Sequence, residues 1–141
     1  MVTRPTWRTA VVTLVSVASW LVAAPASVAV PAQPKAASCS PNGTALSITA
    51  FDFKFDKDCL AAPANEALTV DFNNLDRGIP HNVAIYKDST AQETLFKGDL
   101  VDGPGKTTYS VPALTEGTFF FRCDPHPEMK GTFISGGAPP A

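Results

Sequence analysis

Four residues of the types that bind soft metal ions fall into two short motifs. Cys123, His126 and Met129 stand in the run Cys-Asp-Pro-His-Pro-Glu-Met, and His81 lies upstream in Ile-Pro-His-Asn. The chain has only two histidines, and Met129 is its one methionine besides Met1. Two imidazoles, a thiolate and a thioether form the ligand set of mononuclear copper centres of the blue, electron-transferring kind.

The redox chemistry of copper explains why this set is informative. A trigonal arrangement of two His and one Cys accommodates both oxidation states, and a weak axial Met helps to set the reduction potential. We therefore predict one copper ion that alternates between Cu(I) and Cu(II), with His81, Cys123 and His126 as strong ligands and Met129 as the axial ligand. Zinc is the competing interpretation, but copper binds such donors more tightly and structural zinc sites use Cys and His rather than Met.

The spacing Cys-x-x-His-x-x-Met also predicts local structure. Three ligands this close together cannot converge from an extended strand, because successive side chains of a strand point to opposite faces. A turning loop is needed, and Pro125 and Pro127 favour one because each fixes its own φ and restricts the residue before it. The neighbouring acids Asp124 and Glu128 are expected to be loop charges that face solvent.

These motifs resemble those of the cupredoxins, the family of small blue copper proteins. The resemblance rests on His81-Asn82-Val83 and on the run Phe-Arg-Cys-Asp-Pro-His-Pro-Glu-Met-Lys-Gly from Phe121 to Gly131, within a similarity that extends from about Ser47 to Ile134. The short ligand loop most resembles that of amicyanin, whereas plastocyanin-like members have a longer interval between His and Met.

The resemblance implies a fold and further roles for named residues. It implies an all-β, Greek-key β-sandwich that carries one electron, with His126 near the surface as the electron port. It also implies that Asn82 ties the two ligand-bearing loops together and that a backbone amide donates to the Cys123 thiolate.

The hydrophobic pattern favours a β-sandwich or barrel independently of this resemblance. Short alternating segments are separated by turn residues, and no helical period is sustained. Residues 44–55 alternate in polarity, with a change of phase near Ala50 that indicates a bulge or a strand switch. Residues 88–96 are expected to form a loop with one helical turn.

The first part of the chain has the features of an export signal. Arg4 and Arg8 precede an apolar stretch over residues 10–22, and Ala-x-Ala-like sites follow near residues 24–26 and 30–32. The alternative is that this leader is retained as a membrane anchor. The expected organisation is a signal peptide over 1–32, a linker over 33–43, a cupredoxin-like domain over 44–135 and a disordered tail over 136–141.

Three cysteines in an exported chain leave an odd thiol to explain. If Cys123 binds metal, Cys39 and Cys59 remain, and we expect a disulfide between them in an oxidising compartment. The alternative is a lipid on Cys39, which would leave Cys59 unpaired. The protein is thus expected outside the cytoplasm: secreted, periplasmic or on the cell surface. It would contact a membrane only if the leader is retained or Cys39 is lipidated.

Charge and ligand count limit the functions of the chain. Removal of residues 1–32 takes Arg4 and Arg8 from eleven basic residues and leaves nine against thirteen acidic ones, a net charge of about −4, which argues against nucleic acid as a partner. We expect a monomeric one-electron carrier between larger redox proteins. The alternatives are copper capture or delivery by the same ligands, and a metal-free secreted interaction domain. An enzyme of the multicopper or copper nitrite-reducing kind is not expected, because such catalysis needs a second copper site rich in histidine and both histidines are already used.

Overall fold

The computed structural model describes residues 39–136, and short β-strands account for their architecture. The strands are, in chain order, β1 (Ala45–Phe51), β2 (Lys54–Phe55), β3 (Cys59–Pro63), β4 (Leu68–Asn74), β5 (Pro80–His81), β6 (Ala84–Tyr86), β7 (Thr94–Lys97), β8 (Val101–Asp102), β9 (Gly105–Val111), β10 (Gly117–Arg122) and β11 (Lys130–Gly136). The period of 2 that a strand imposes is clear in β4, where Leu68, Val70 and Phe72 are buried and Asp71 is exposed.

Most of these strands belong to two sheets. One sheet has the order β2-β1-β4-β9, the other has the order β3-β11-β10-β6-β7, and β5 pairs separately with β8. The pairs β1–β4 and β3–β11 are parallel, and the other pairs are antiparallel. The chain crosses repeatedly from one sheet to the other, so the predicted Greek-key β-sandwich is confirmed.

The core lies between the two sheets. It receives buried side chains from both, among them Ile48 and Phe72 from the first sheet and Phe121 and Phe133 from the second. Cys123 and Met129 belong to the same buried cluster. The proposed metal ligands therefore border the main core at one end of the sandwich.

The change of phase near Ala50 arises from a tight hairpin rather than from a bulge or a strand switch. Ala50 pairs with Phe55 and Phe51 with Lys54, so the turn consists of Asp52 and Phe53 alone. Both turn residues have positive φ, 52° and 55°, as in the type I′ turns that match the twist of two-residue hairpins. Phe51, Phe53 and Phe55, which alternate in sequence, therefore do not lie on one continuous strand, and Phe51 and Phe53 are exposed.

The segment from 88 to 96 also differs from its prediction. Residues 94–97 form β7, which pairs with β6 across an irregular register at Ile85 and Tyr86. A turn over residues 88–91 precedes it, with the Asp88 side chain accepting hydrogen bonds from Thr90. The expected helical turn is therefore wrong, because an Asp-initiated turn leads directly into an edge strand.

The predictions for the two chain ends fall largely outside the described residues. This applies to the signal peptide over 1–32, to the part of the linker before residue 39 and to residues 137–141. Gly136, which was assigned to the tail, is the last residue of β11. Among residues 39–136, no helix has the length and apolar character to span a membrane.

The predicted disulfide is present. Cys39 and Cys59 are bonded, with 6.0 Å between their Cα atoms and 20 positions between them in sequence. Because Cys59 begins β3, the bridge fastens the start of the described chain to an edge strand of the second sheet. This leaves Cys123 as the free cysteine, and it is buried.

Replacing both Cys39 and Cys59 by Ser should lower the free energy of unfolding. The expected loss is about 3 kcal/mol, because the bridge closes a loop across 20 positions and removes chain entropy from the unfolded state. Urea denaturation of the copper-free protein measures it. Ser40→Ala, at the exposed neighbour of Cys39, is the control and should change stability by less than about 0.5 kcal/mol. Equal stabilities of the double variant and this control would contradict the prediction.

Candidate metal centre

Two strand ends deliver the three strongest ligand candidates to one end of the sandwich. His81 is the last residue of β5 and pairs with Val101 of β8. Cys123 follows directly after β10, and the chain turns through residues 124–129 before β11 begins. This loop is closed by its own backbone: the Cys123 amide donates to the Met129 carbonyl over 2.8 Å, and the Met129 amide donates to the His126 carbonyl over 2.9 Å. The turning loop that the spacing predicted is therefore present.

The three donor atoms converge. The His81 Nδ1 atom lies 3.4 Å from the Cys123 sulfur and 3.0 Å from the His126 Nδ1 atom, which is itself 3.8 Å from the sulfur. All three atoms lie within 4.8 Å of one another. His81 and Cys123 are fully buried, whereas the His126 ring is half-buried.

The chemistry of this donor set fits a soft cation. Both histidines direct Nδ1 to the same point as the sulfur, so lone pairs would face one another unless a proton or a metal lies between them. Burial raises the pKa of the Cys123 thiol, although backbone hydrogen bonds from Asn82 and His126 oppose the rise. Burial also lowers the pKa of His126, and the neighbouring His81 adds to this effect. A bound cation would stabilise the thiolate and use the neutral imidazoles.

Met129 lies beside the cluster in the buried core. The residue is 2% exposed and belongs to the same apolar group as Cys123. The backbone bonds that close the ligand loop fix its position relative to Cys123 and His126. The axial role of its thioether stays a prediction.

Asn82 joins the two ligand-bearing segments, as the resemblance implied. Its side-chain oxygen accepts a hydrogen bond from the Asp124 amide over 2.8 Å. Its amide nitrogen donates to the Gly98 carbonyl over 2.9 Å and to the Asp124 carboxylate over 3.3 Å. Because Asn82 follows His81 and Asp124 follows Cys123, these bonds hold the two ligands in a fixed relation.

Asp124 is not the solvent-facing loop charge that was expected. Its carboxylate accepts a hydrogen bond from the Tyr86 hydroxyl and forms ion pairs with Lys97 at 3.1 Å and Arg122 at 3.5 Å. Burial raises the pKa of Asp124, but the hydrogen bonds from Tyr86, Lys97 and Asn82 outweigh it, and the net pKa lies below the ordinary value. Glu128 does face solvent and pairs with Lys130 at 3.2 Å.

Two further residues contact the site without having been predicted. Asp76 Oδ2 lies 2.9 Å from His81 Nε2, on the side of the ring away from the cluster. The Phe53 ring stands edge-on to both histidines, with centroid distances of 5.7 Å to His81 and 5.0 Å to His126. Asp76 lies in a polar stretch shortly before His81, which is its one signal in the sequence, and Phe53 falls in the alternating segment 44–55 that was predicted to be strand.

Comparison with known proteins finds a family model and sequences that are similar to this chain. The family model of the cupredoxin-like domain matches residues 12–135. Plastocyanin from Sambucus nigra is 36% identical over 72 residues, which cover 47% of this chain and 69% of the plastocyanin.

Solved structures show the same fold. Auracyanin from Roseiflexus castenholzii aligns with a TM-score of 0.60 and 22% identity, over 68% of this chain and 98% of the auracyanin. Auracyanin A from Chloroflexus aurantiacus, described as a "blue" copper protein, aligns with a TM-score of 0.57 and 18% identity, over 67% of this chain and 100% of its own.

Replacing Asn82 by Ala should destabilise the fold around the centre. The expected loss is about 2 kcal/mol of unfolding free energy, because the change leaves the part-buried Asp124 amide and the Gly98 carbonyl without these partners. Chemical denaturation of the copper-free protein measures it. Asn42→Ala, at an exposed asparagine, is the control and should stay within about 0.5 kcal/mol of the wild type. A loss for Asn82→Ala no larger than that of this control would refute the argument.

Proposed function

This chain belongs to the cupredoxin-like family, and on that premise we propose that it is an exported blue copper protein that carries single electrons between larger redox proteins. The observation that carries the proposal is the convergence of two imidazole nitrogens and one buried sulfur within 4.8 Å. The cofactor is one copper ion, which supplies the one-electron couple between Cu(I) and Cu(II) when it is bound.

The residues that hold the ion in this proposal are the three converging ones and their buried neighbour. His81 and His126 bind through Nδ1 and Cys123 binds through its sulfur, because these atoms face a common point. Met129 is the axial ligand, supported by its burial beside Cys123. The backbone bonds from Asn82 and His126 to the sulfur stabilise the thiolate.

The surrounding hydrogen bonds suit a carrier that must keep its shape when its charge changes. Asn82 and Asp124 join the two ligand segments, and Asp124 is itself held by Tyr86, Lys97 and Arg122. Side chains fixed in this way leave little freedom for the ligands to rearrange. A small rearrangement favours fast electron transfer in both directions.

His126 is the proposed port for electrons. Its ring is half-buried, whereas His81, Cys123 and Met129 are buried. A partner that docks at this end of the sandwich would therefore reach the His126 ring first. This assignment agrees with the role that the family resemblance implies.

The disulfide supports a location outside the cytoplasm. A bond between Cys39 and Cys59 persists in oxidising compartments and is rare where thiols are kept reduced. The arginines and the apolar stretch at the start of the chain favour export by a cleaved signal peptide, with retention as an anchor as the alternative. We propose a monomer in this compartment.

Electron transfer is favoured over copper delivery by the burial of the ligands. Handing an ion to a partner requires a partner ligand to reach the metal, and two of the three converging residues are fully buried. Catalysis that needs a second, histidine-rich copper site is disfavoured, because both histidines of the chain already belong to this centre.

Copper reconstitution tests this proposal. Titration of the copper-free protein with Cu(II) should give one ion per chain, an intense visible band and the electron paramagnetic spectrum of a copper–thiolate centre. The colour should disappear and return through cycles of reduction and oxidation, with the copper retained. Copper that passes to a cuprous chelator faster than the protein exchanges electrons would support delivery instead, and a colourless protein would overturn both functions.

Replacing Cys123 by Ser should abolish the visible band, because the band arises from the copper–thiolate bond. Absorption spectra recorded after copper titration check this. The variant with Ser at both Cys39 and Cys59 loses two sulfurs but keeps Cys123, so it should retain the colour. A band of undiminished strength in Cys123→Ser would exclude this sulfur as a ligand.

Replacing Met129 by Leu should keep the colour and raise the reduction potential, since loss of the weak thioether ligand disfavours Cu(II). Redox titration followed by visible absorption measures the change. Leu68→Met is the control. This buried position is at the far end of β4, about 20 Å from the end that leads to the site. The reduction potential of this variant should match that of the wild type. An unchanged potential in Met129→Leu would rule out the axial role.

A further inference from the structure

We infer that the Asp76 carboxylate clamps His81 and the β1–β2 turn together, and that its charge lowers the reduction potential of the centre. Asp76 is a positioning residue, because it acts through the His81 ring. The inference about potential rests on the proposed function, whereas the clamp can be tested without copper.

The contact with His81 fixes which ring nitrogen faces the metal. Asp76 Oδ2 lies 2.9 Å from Nε2 of His81, and the two side chains are 9% and 0% exposed. A carboxylate accepts and does not donate, so Nε2 carries the hydrogen, and in the neutral ring Nδ1 then keeps its lone pair. That Nδ1 atom is the one that lies 3.4 Å from the Cys123 sulfur. The hydrogen bond therefore selects the tautomer that a metal needs.

The same carboxylate holds the turn of the first hairpin. Its Oδ1 atom accepts from the Asp52 amide over 2.6 Å, and its Oδ2 atom accepts from the Phe53 amide over 3.0 Å. These two residues have positive φ, which a phenylalanine rarely adopts. Two bonds to a charged acceptor offset the cost of that conformation. In this way the carboxylate fixes the position from which the Phe53 ring contacts His81 and His126.

Asp76 is itself held in place by a buried amide. The Asp76 backbone amide donates to Asn74 Oδ1 over 3.0 Å. The Asn74 side-chain nitrogen donates to the carbonyls of Ile79 and Val101, both over 2.7 Å. Asn74 ends β4, Ile79 precedes β5 and Val101 lies in β8. The carboxylate is thus anchored to the strands that deliver His81.

The charge of Asp76 has a direct consequence for a redox ion. A negative charge hydrogen-bonded to a ligand makes that ligand more basic. It also stabilises the cupric ion more than the cuprous ion, because the cupric ion carries the larger positive charge. Asp76 should therefore favour Cu(II) and lower the reduction potential.

The test uses three variants of the full-length protein and one matched control. Asp76→Asn removes the charge, Asp76→Ala removes the acceptor, and Asp76→Glu restores a carboxylate on a longer arm. Asp56→Asn is the control, because Asp56 lies in the same hairpin and binds the Thr49 amide rather than a histidine. Circular dichroism verifies the fold of each variant.

The copper-loaded proteins report the electrostatic role. We expect higher midpoint potentials in Asp76→Asn and Asp76→Ala, with at least a tenfold loss of Cu(II) affinity in Asp76→Ala. Asp76→Glu should restore part of the Cu(II) affinity and bring the midpoint potential back towards the wild-type value. Asp56→Asn should behave as the wild type. A wild-type potential in both Asp76→Asn and Asp76→Ala, or an equal rise in Asp56→Asn, would overturn the inference.

Measurements on the copper-free proteins test the clamp separately. Hydrogen exchange at the Asp52 and Phe53 amides should be at least tenfold faster in Asp76→Ala than in the wild type and in Asp56→Asn. Nitrogen-15 resonances should show His81 as the Nε2-protonated tautomer in the wild type and as a mixture in Asp76→Ala. Unchanged exchange and an unchanged tautomer would refute the clamp, even in a protein that binds copper. Failure of the wild type to take up copper would instead refute the proposed function.

Discussion

The constraint on which the structure depends is that three electron-pair donors must share one small buried volume. Two Nδ1 atoms and one sulfur lie within 4.8 Å of one another, although His81 and Cys123 are 42 positions apart in sequence. Such a cluster is unfavourable unless the donors are held in place and a proton or a metal ion lies among them. The sandwich holds the donors in place, because β5 and β10 both end at the same end of the sandwich and Asn82 bonds to Asp124 between the two ligand-bearing segments.

Sequence could predict the parts of this arrangement that depend on residues close together in the chain or on residue types that occur only two or three times. Cys123, His126 and Met129 are close in sequence, and two prolines make the loop between them turn. His81 was identified because no other histidine competes with it, and the disulfide followed from one cysteine being assigned to the metal. The β-class followed from alternating polarity, which depends only on the period of a strand.

The parts that sequence could not predict depend on distant partners. Asp124 has the sequence environment of a loop charge, but the hydrogen bond from Tyr86, 38 positions away, and two ion pairs hold it in a part-buried position. Asp76 meets the hairpin turn across 24 positions. Phe53 was misplaced because an exposed turn seldom contains phenylalanine, and its alternation with Phe51 and Phe55 imitates a strand. A residue that breaks local preference beside a site is typical of function overriding propensity.

The two imidazoles differ in burial and in their contacts, and this difference favours a carrier that exchanges electrons at one side of the centre. His81 is buried, and its second nitrogen is occupied by Asp76. His126 is half-buried between exposed prolines, and its ring meets Phe53 rather than a carboxylate. In the proposed carrier a redox partner would approach His126, while the hydrogen bond to Asp76 holds the His81 ring in place. In the proposed carrier the same asymmetry would separate two tasks: the buried His81 side would set the electronic properties of the centre, and the half-buried His126 side would determine which partners can exchange electrons with it.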